Sequence, residues 1–318
     1  MKKLALLLAA LSVASVSYAK EVMPEAAPVV EEAPVVEEVV EVKAAPVLRV
    51  TSVGQQLVVE NKSNANGSGQ ENIGEKVHLK NMVGLALGDS WTFDLMARKT
   101  WKASTDDVVE DGTTWDGMKS NGHRLELAAT RHFENFSLGL RWRGEKNQDA
   151  IFLPVSYNYG MVSGWFDPAY YFVNESKGQD YFYLEAEPVV LSYGPVQLAY
   201  YFEGYKWTGE GDGNAPTDTK SNYAHQARLR GTVYSNDAFS VGLEYRYQFA
   251  QDVEMVNGNK NVENNRHIGV LSGAYNVTEN LTLAGYYQYE FNKYEQHEGT
   301  AMDDDYYGEF GLGWSYNF

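Results

Sequence analysis

The chain has no cysteine and, beyond its first residues, no long apolar run. The lack of cysteine excludes a disulfide framework, which an exported soluble domain of this size could have used. The most continuous later apolar segments, such as 82–87, are far shorter than the roughly 20 residues that a membrane-spanning helix needs. Low hydropathy does not establish a soluble protein, because a barrel strand carries lipid-facing residues only at every second position.

Basic residues are also few. Lys and Arg total 26 against 43 Asp and Glu, a formal net charge of −17, and without Lys2 and Lys3 the balance is 24 against 43, or −19. Because binding nucleic-acid phosphates requires a basic face, nucleic acid is not expected as a partner. The chain is instead rich in glycine (29) and tyrosine (23), with 7 tryptophans.

The N-terminus has the three parts of a secretory signal peptide. Lys2 and Lys3 supply a positive region, 4–16 is apolar, and 17–19 ends in small residues at the positions read for cleavage. The apolar part is too short to span a membrane as a helix. We therefore expect a signal peptide over 1–19, with cleavage after Ala19.

Residues 20–46 have low complexity. The segment contains a direct repeat, APVVEE at 27–32 and again at 33–38, and it has no aromatic residue. Its recurrent prolines disfavour both a helix and a central strand. The composition predicts an extended periplasmic tether, either a passive linker or a docking segment for a periplasmic partner.

From Val47 onward, apolar and polar residues alternate with period two, which is typical of strands with two different faces. The clearest examples are 136–145, 239–249 and 281–291. A soluble β-sandwich also alternates, so alternation alone does not decide the fold.

The connections decide it, because short and long ones alternate. The short ones are 88–90, 132–135, 160–163, 193–195, 235–237 and 277–280, and the longer ones are 61–74, 104–120, 146–149, 174–179, 209–221, 251–264 and 292–303. This is the arrangement of outer-membrane barrels, with short turns in the periplasm and long loops outside. We predict an all-β, transmembrane, antiparallel up-and-down barrel over 47–318, with about 14 strands (12–16 allowed).

The last strand alternates aromatic and apolar residues up to the C-terminal Phe318, with Trp314 and Tyr316 on the same face. In a soluble protein such an edge would invite aggregation, whereas closure of a barrel removes it. Both termini of the barrel are then expected in the periplasm, in a protein integral to the outer membrane and in contact with its lipid and lipopolysaccharide.

The start of the mature chain, AKEVMP at 19–24, followed by a Pro/Val/Glu tether and an aromatic barrel, resembles the fusobacterial major outer-membrane porin family. The specific match covers the signal junction, and the remainder is shared architecture. The resemblance implies a water-filled channel for small hydrophilic solutes, and a homotrimer is one assembly that it allows. Resemblance to other outer-membrane barrels implies that Phe318, Tyr316 and Trp314 form the signal read by the barrel-assembly machinery.

Strand parity predicts a charged inner wall. The predicted pore-lining residues are Arg98, Arg124, Arg141, Arg143, Arg228, Arg230, Arg246, Asp94, Glu126, Glu145, Glu203, Glu244 and Glu290. Charged residues that line a pore select permeant ions, but opposite charges on neighbouring strands could equally pair and stiffen the wall. The sequence alone is compatible with both interpretations.

The long connections are acidic, and acidic loops at a pore mouth favour cations. Asp303 to Asp305 could in principle hold a divalent cation, but no EF-hand spacing is present, so no metal site and no cofactor are predicted. The six histidines form no close metal-binding motif, and no local motif for a hydrolase is found. An enzyme is therefore not expected. The alternative to a porin is an adhesin or receptor acting through its loops, for which 104–120 is the best candidate.

Overall fold

The computed structural model describes residues 47–63, 71–102, 108–109, 112–113, 118–174, 178–208, 219–256, 263–295 and 305–318. Its strands are β1 (Leu48–Ser63), β2 (Glu71–Leu87), β3 (Trp91–Lys102), β4 (Val108–Val109), β5 (Gly112–Thr113), β6 (Lys119–His132), β7 (Phe136–Glu145), β8 (Gln148–Phe152), β9 (Val155–Tyr159), β10 (Val162–Val173), β11 (Tyr181–Tyr193), β12 (Val196–Trp207), β13 (Thr219–Ser235), β14 (Phe239–Met255), β15 (Glu263–Asn276), β16 (Leu281–Glu295) and β17 (Asp305–Asn317). No helix long and apolar enough to cross a membrane occurs in these ranges.

The strands form one closed antiparallel barrel. Consecutive barrel strands pair with each other, except that β3 pairs with β6 and that β8 and β9 each pair with β7 and β10. β17 pairs with β1 from Ser52–Asn317 to Lys62–Tyr307, which closes the ring. β4 and β5 form a separate two-stranded hairpin within the connection between β3 and β6. Closure leaves every barrel strand with a partner on both sides, as a bilayer requires of a sheet.

β8 and β9 occupy a single position in the ring. Both pair with β7 on one side and β10 on the other, and only Leu153 and Pro154 separate them. Because proline has no backbone N–H to donate to the ladder, the strand is interrupted there. With β8 and β9 counted together, the barrel has fourteen strand positions, and the predicted fold class is confirmed.

The six short turns predicted from the sequence all join consecutive strands at one end of the barrel, and the strand ends that flank the longer connections lie at the other end. The strands extend further into the predicted loops than expected: β14 continues to Met255 and β16 to Glu295. The predicted bounds of these loops were wrong because polar composition does not prevent backbone pairing when a neighbouring strand is present. The predicted signal peptide and tether lie outside the described residues.

In the sequence after Ala150 the period-two alternation is weak, and the structure shows why. Besides the break at Pro154, the β10–β11 and β11–β12 pairings shift register at Ser163/Trp165 and at Ala186/Val189. Pro188 lies in the second irregularity, where the hydroxyl of Tyr157 donates to its carbonyl oxygen at 2.5 Å. A bulge changes which face the following residue occupies, so the period-two pattern is lost locally.

Candidate functional site

The two faces of the barrel wall have opposite chemistry. On β7, Arg141 and Arg143 are buried while the alternate residues Leu138 and Leu140 are half exposed. The same division recurs around the ring, with charged or amide side chains on the inner face and Leu, Val or aromatic side chains on the outer face. The inner wall is therefore the surface whose side chains can interact with ions and polar solutes.

The sequence-predicted residues lie on this wall with different degrees of burial. Buried are Arg98, Arg124, Arg141, Arg143, Arg228, Arg246, Glu126, Glu203 and Glu290, whereas Arg230, Glu145 and Glu244 are partly buried and Asp94, nearer the short turns, is exposed. Their role in lining a pore remains a prediction.

Four arginines from β3, β6 and β7 form the first charged group. Arg143 Nε donates to Glu126 at 2.7 Å, and Arg124 pairs with Glu145. Arg141 pairs with Asp167 on β10, across the intervening strand β8. Arg98 approaches Glu145 at 3.7 Å. Cations and carboxylates on neighbouring strands are thus interleaved in this part of the wall.

A second charged group lies on β11 and β13 to β16. Glu187 on β11 forms ion pairs with two arginines of β13, Arg228 at 3.0 Å and Arg230 at 2.6 Å. Both ion pairs cross the intervening strand β12. Beyond them, Arg246 pairs with Glu244 at 2.8 Å, and Arg266 with Glu290 at 3.1 Å. Of the two interpretations open at the sequence level, pairing between opposite charges is what these contacts favour for most of the arginines.

Between these groups, β11 and β12 carry carboxylates held by tyrosines. Glu185 and Glu203 are directly opposite in register. Tyr201 Oη lies 2.6 Å from Glu185 and 3.0 Å from Glu203, Tyr205 Oη donates to Glu203 at 2.6 Å, and Tyr183 Oη donates to Glu185. Tyrosine hydroxyls stabilise the carboxylates without supplying positive charge, so this part of the wall is acidic.

On the other side of the ring another carboxylate is held by tyrosines, in a part of the wall that also carries the buried Lys80. Glu309 on β17 accepts hydrogen bonds from Tyr307, at 2.8 Å, and from Tyr286. Beside it on β1 and β2, His78 lies 2.8 Å from both Glu60 and Thr100. Two arginine-rich arcs and two tyrosine–carboxylate arcs therefore alternate around the ring.

Sequence reasoning missed several charged members of this wall: Glu60, His78, Lys80, Asp167, Glu185, Glu187, Arg266 and Glu309. For Glu185, Glu187 and Glu309 a signal was present, since they lie at even spacing with Tyr183 and Tyr307 on the inner face. The register shift near Pro188 hid the first two, because the alternation fails just beyond them.

The outer face carries two zones of aromatic residues, most of them exposed, with a leucine-rich zone between them. Toward the short turns lie Trp91, Phe133, Phe136, Tyr193, Phe239 and Tyr275, toward the long connections Phe172, Phe182, Tyr200, Phe249 and Tyr289, and between them Leu140, Leu198, Leu229, Leu243 and Leu271. Aromatic girdles flanking an apolar band are the features by which outer-membrane barrels meet lipid. These features of the outer face confirm the prediction of an integral outer-membrane protein.

The predicted assembly residues Trp314, Tyr316 and Phe318 all lie on the exposed side of β17 and its end, and Phe318 N donates to the Thr51 carbonyl at 3.0 Å. Recognition by an assembly machinery remains a prediction. Within the described ranges, no group of three or more His, Asp or Glu side chains is arranged to hold a metal ion.

No protein-family profile and no curated protein sequence matches the chain. Solved structures similar to it include an outer-membrane protein of Vibrio cholerae, OmpT, at 12% identity over 85% of this chain and 98% of that one, with a TM-score of 0.46. The anion-selective porin from Comamonas acidovorans is 13% identical over 86% of this chain and 100% of that one, with a TM-score of 0.44. Pseudomonas aeruginosa OccD3 is 9% identical over 85% of this chain and 91% of that one, with a TM-score of 0.42. Likeness at this level carries no argument about function. The fold is established by the closed strand pairing and the two-faced wall, and membership of the fusobacterial family remains a prediction.

Proposed function

We propose that the protein is an outer-membrane porin, a water-filled channel for passive diffusion of small hydrophilic solutes and ions. The observation that carries this proposal is the inner wall: charged and hydrogen-bonding side chains occur on it in every part of the ring, inside a closed barrel whose outer face is apolar. Such a wall suits hydrated solutes, whereas an apolar lumen would exclude them.

A preference for cations is part of the proposal. Most arginines of the wall are matched by a carboxylate, while Glu185 accepts its hydrogen bonds from tyrosine hydroxyls, which supply no positive charge. The net charge of −17 over the chain acts in the same direction. A negative field along the path concentrates cations.

In the proposed orientation the long connections face outward, and the tether and C-terminus face the periplasm, as in other outer-membrane barrels. The lipid and lipopolysaccharide of that membrane would contact the two aromatic zones. A homotrimer and recognition of Trp314, Tyr316 and Phe318 by the assembly machinery belong to the same proposal.

The experiment is single-channel recording of the purified protein in a planar bilayer, with a salt gradient. Stepwise channels with a reversal potential on the cation side are expected. Arg141→Ala/Arg143→Ala removes two bulky cations from the wall and should raise conductance and cation preference, whereas Arg131→Ala, an exposed residue against Trp91 and Phe133, should leave both unchanged.

Other outcomes point to other functions. A closed, non-conducting barrel would favour an adhesin or receptor acting through its loops, and hydrolysis of lipid or peptide without channels would favour a barrel enzyme. Clear anion preference would contradict the proposed selectivity while leaving the porin intact. Unchanged conductance in the double arginine variant would mean that these side chains are not at the constriction.

A further inference from the structure

The inner wall carries a cluster of aromatic rings where β11 begins and β12 ends, at the long-connection end of the barrel. Tyr181 and Trp207 are register partners there, and Tyr205 lies on the same face. The ring centroids of the three are separated by 5.8 Å (Tyr181–Trp207), 5.9 Å (Tyr205–Trp207) and 5.9 Å (Tyr181–Tyr205). All three rings are partly exposed. In the packed core of a soluble protein such rings would be buried, so the partial exposure of these three side chains requires an explanation.

Further rings extend from this cluster down the wall. Tyr171 stacks on Tyr181 at 4.4 Å, Tyr183 lies 4.9 Å from Tyr205, and Phe152 packs against Tyr171 at 5.6 Å. These deeper rings are buried, and Arg141 and Arg143 lie over Phe152 at 4.1 Å and 4.5 Å. The deeper layer holds the three outer rings in position, as a rigid base does for a binding surface.

Hydrogen-bonding groups border the rings. Tyr205 Oη donates to Glu203 at 2.6 Å, and Tyr181 Oη donates to Gln148 at 3.4 Å. Gln148 in turn donates to Glu145 at 3.0 Å. An apolar ring surface with a few fixed donors and acceptors around it is the usual composition of a small-molecule site.

We propose that Tyr181, Tyr205 and Trp207 form a binding site for neutral saccharides at the mouth of the barrel. Sugar rings have an apolar face of polarised C–H bonds, which the negative π-faces of aromatic rings attract, and an equator of hydroxyls that need donors and acceptors. The ring separations of 5.8–5.9 Å are close to the length of one hexose unit. The proposal deepens the porin function by naming a substrate class and rests on it for transport, but binding itself does not require a conducting channel.

Two other ligand classes fit less well. The carboxylates of Glu185 and Glu203 near the rings would repel anionic saccharides. An organic cation would be attracted by the same charges, but cages for such cations surround them with aromatic faces. The three rings here have interplanar angles of 17°, 39° and 43°, so no two of them stand perpendicular to each other as the walls of a cage do.

The first measurement is calorimetric titration of the full-length barrel in detergent with maltohexaose, cellohexaose and chitohexaose, beside polyethylene glycol of equal length and spermidine. At least one hexaose should bind, and polyethylene glycol should not. Trp207→Phe keeps a π-face and should retain most of the affinity, while Trp207→Leu keeps apolar volume only and should bind at least tenfold more weakly. Phe182→Ala, on the outer face beside Tyr181, is the matched control and should bind as wild type.

A gel shift between heated and unheated samples identifies folded variants before titration. The proposal is overturned if no hexaose binds better than polyethylene glycol, if spermidine alone binds, or if Trp207→Leu binds as tightly as wild type. The second measurement, block of single-channel current by the binding hexaose, tests transport. Binding without any channels would overturn the porin function and leave the saccharide site standing, whereas channels without binding would do the reverse.

Discussion

The hydroxyl of Tyr201 lies within hydrogen-bond distance of two carboxylates, 2.6 Å from Glu185 and 3.0 Å from Glu203. The two glutamates are opposite each other on β11 and β12, so the tyrosine ring bridges a pair of like charges that would otherwise repel. Arg228 lies over the same ring, 3.4 Å from its centroid, which ties this acidic part of the wall to the neighbouring arginine group.

Tyr201→Phe should destabilise the barrel, because it keeps the ring under Arg228 but removes the shared donor. A loss of about 1.5–3 kcal/mol in the free energy of unfolding is expected for a hydrogen bond to a charged group. Urea unfolding in lipid vesicles, followed by tryptophan fluorescence, measures it. Tyr193→Phe, 82% exposed at a short turn, is the control and should have no effect. Equal stability of the two variants would mean that the hydroxyl contributes nothing.

Glu187→Gln should shift ion selectivity toward anions. The Glu187 carboxylate forms ion pairs with both Arg228 and Arg230. The neutral glutamine amide of the variant would leave these two positive charges uncompensated at that point of the wall. A stability loss of about 1.5–3 kcal/mol is expected as well. The reversal potential in a salt gradient measures the first effect and urea unfolding the second. Glu134→Gln, exposed in a short turn, changes the net charge equally. If both variants shift the potential by the same amount, the position of Glu187 is irrelevant.

Leu271→Arg and Val270→Arg should affect folding differently, because the two residues lie on opposite faces of β15. Leu271 is 51% exposed on the outer face, where an arginine costs about 2–4 kcal/mol near the bilayer midplane. Val270 faces inward and is the register partner of Glu244, so an arginine there meets a carboxylate. The folded fraction recovered in the membrane, judged by the heat-dependent gel shift, should fall for the first variant alone. The opposite result would mean that the faces are assigned the wrong way round.

Gly311→Ala should destabilise β17. A methyl group built at this position would overlap the ring of Tyr286, which lies flat on the glycine and donates to Glu309. Displacing the ring costs about 1–3 kcal/mol as overpacking. Gly269→Ala is the matched control, since nothing lies within 4 Å of the added methyl. Thermal unfolding of both variants in detergent gives the comparison, and a Gly311 variant as stable as the Gly269 variant would show that Tyr286 adapts freely.

The amino-acid sequence by itself determined the barrel. Period-two alternation with an apolar face, the six short turns, and the aromatic strand ending at Phe318 were each local patterns, and each appears in the structure where it was expected. The strands that flank the longer connections extend further than predicted. The inward orientation of residues such as Arg141 and Arg143 also followed from parity. This was predictable because a strand places successive side chains on opposite faces whatever its partners are.

Only the tertiary structure decided which charges meet. Arg141 reaches Asp167, and Arg228 and Arg230 reach Glu187, across an intervening strand, and such contacts depend on the stagger of strands around the closed ring. The break at Pro154 and the register shift near Pro188 moved residues between faces, which concealed Glu185 and the aromatic rings around Tyr181. Parity gives the face of a residue, but its neighbours on that face are set by register and closure, which no single strand encodes.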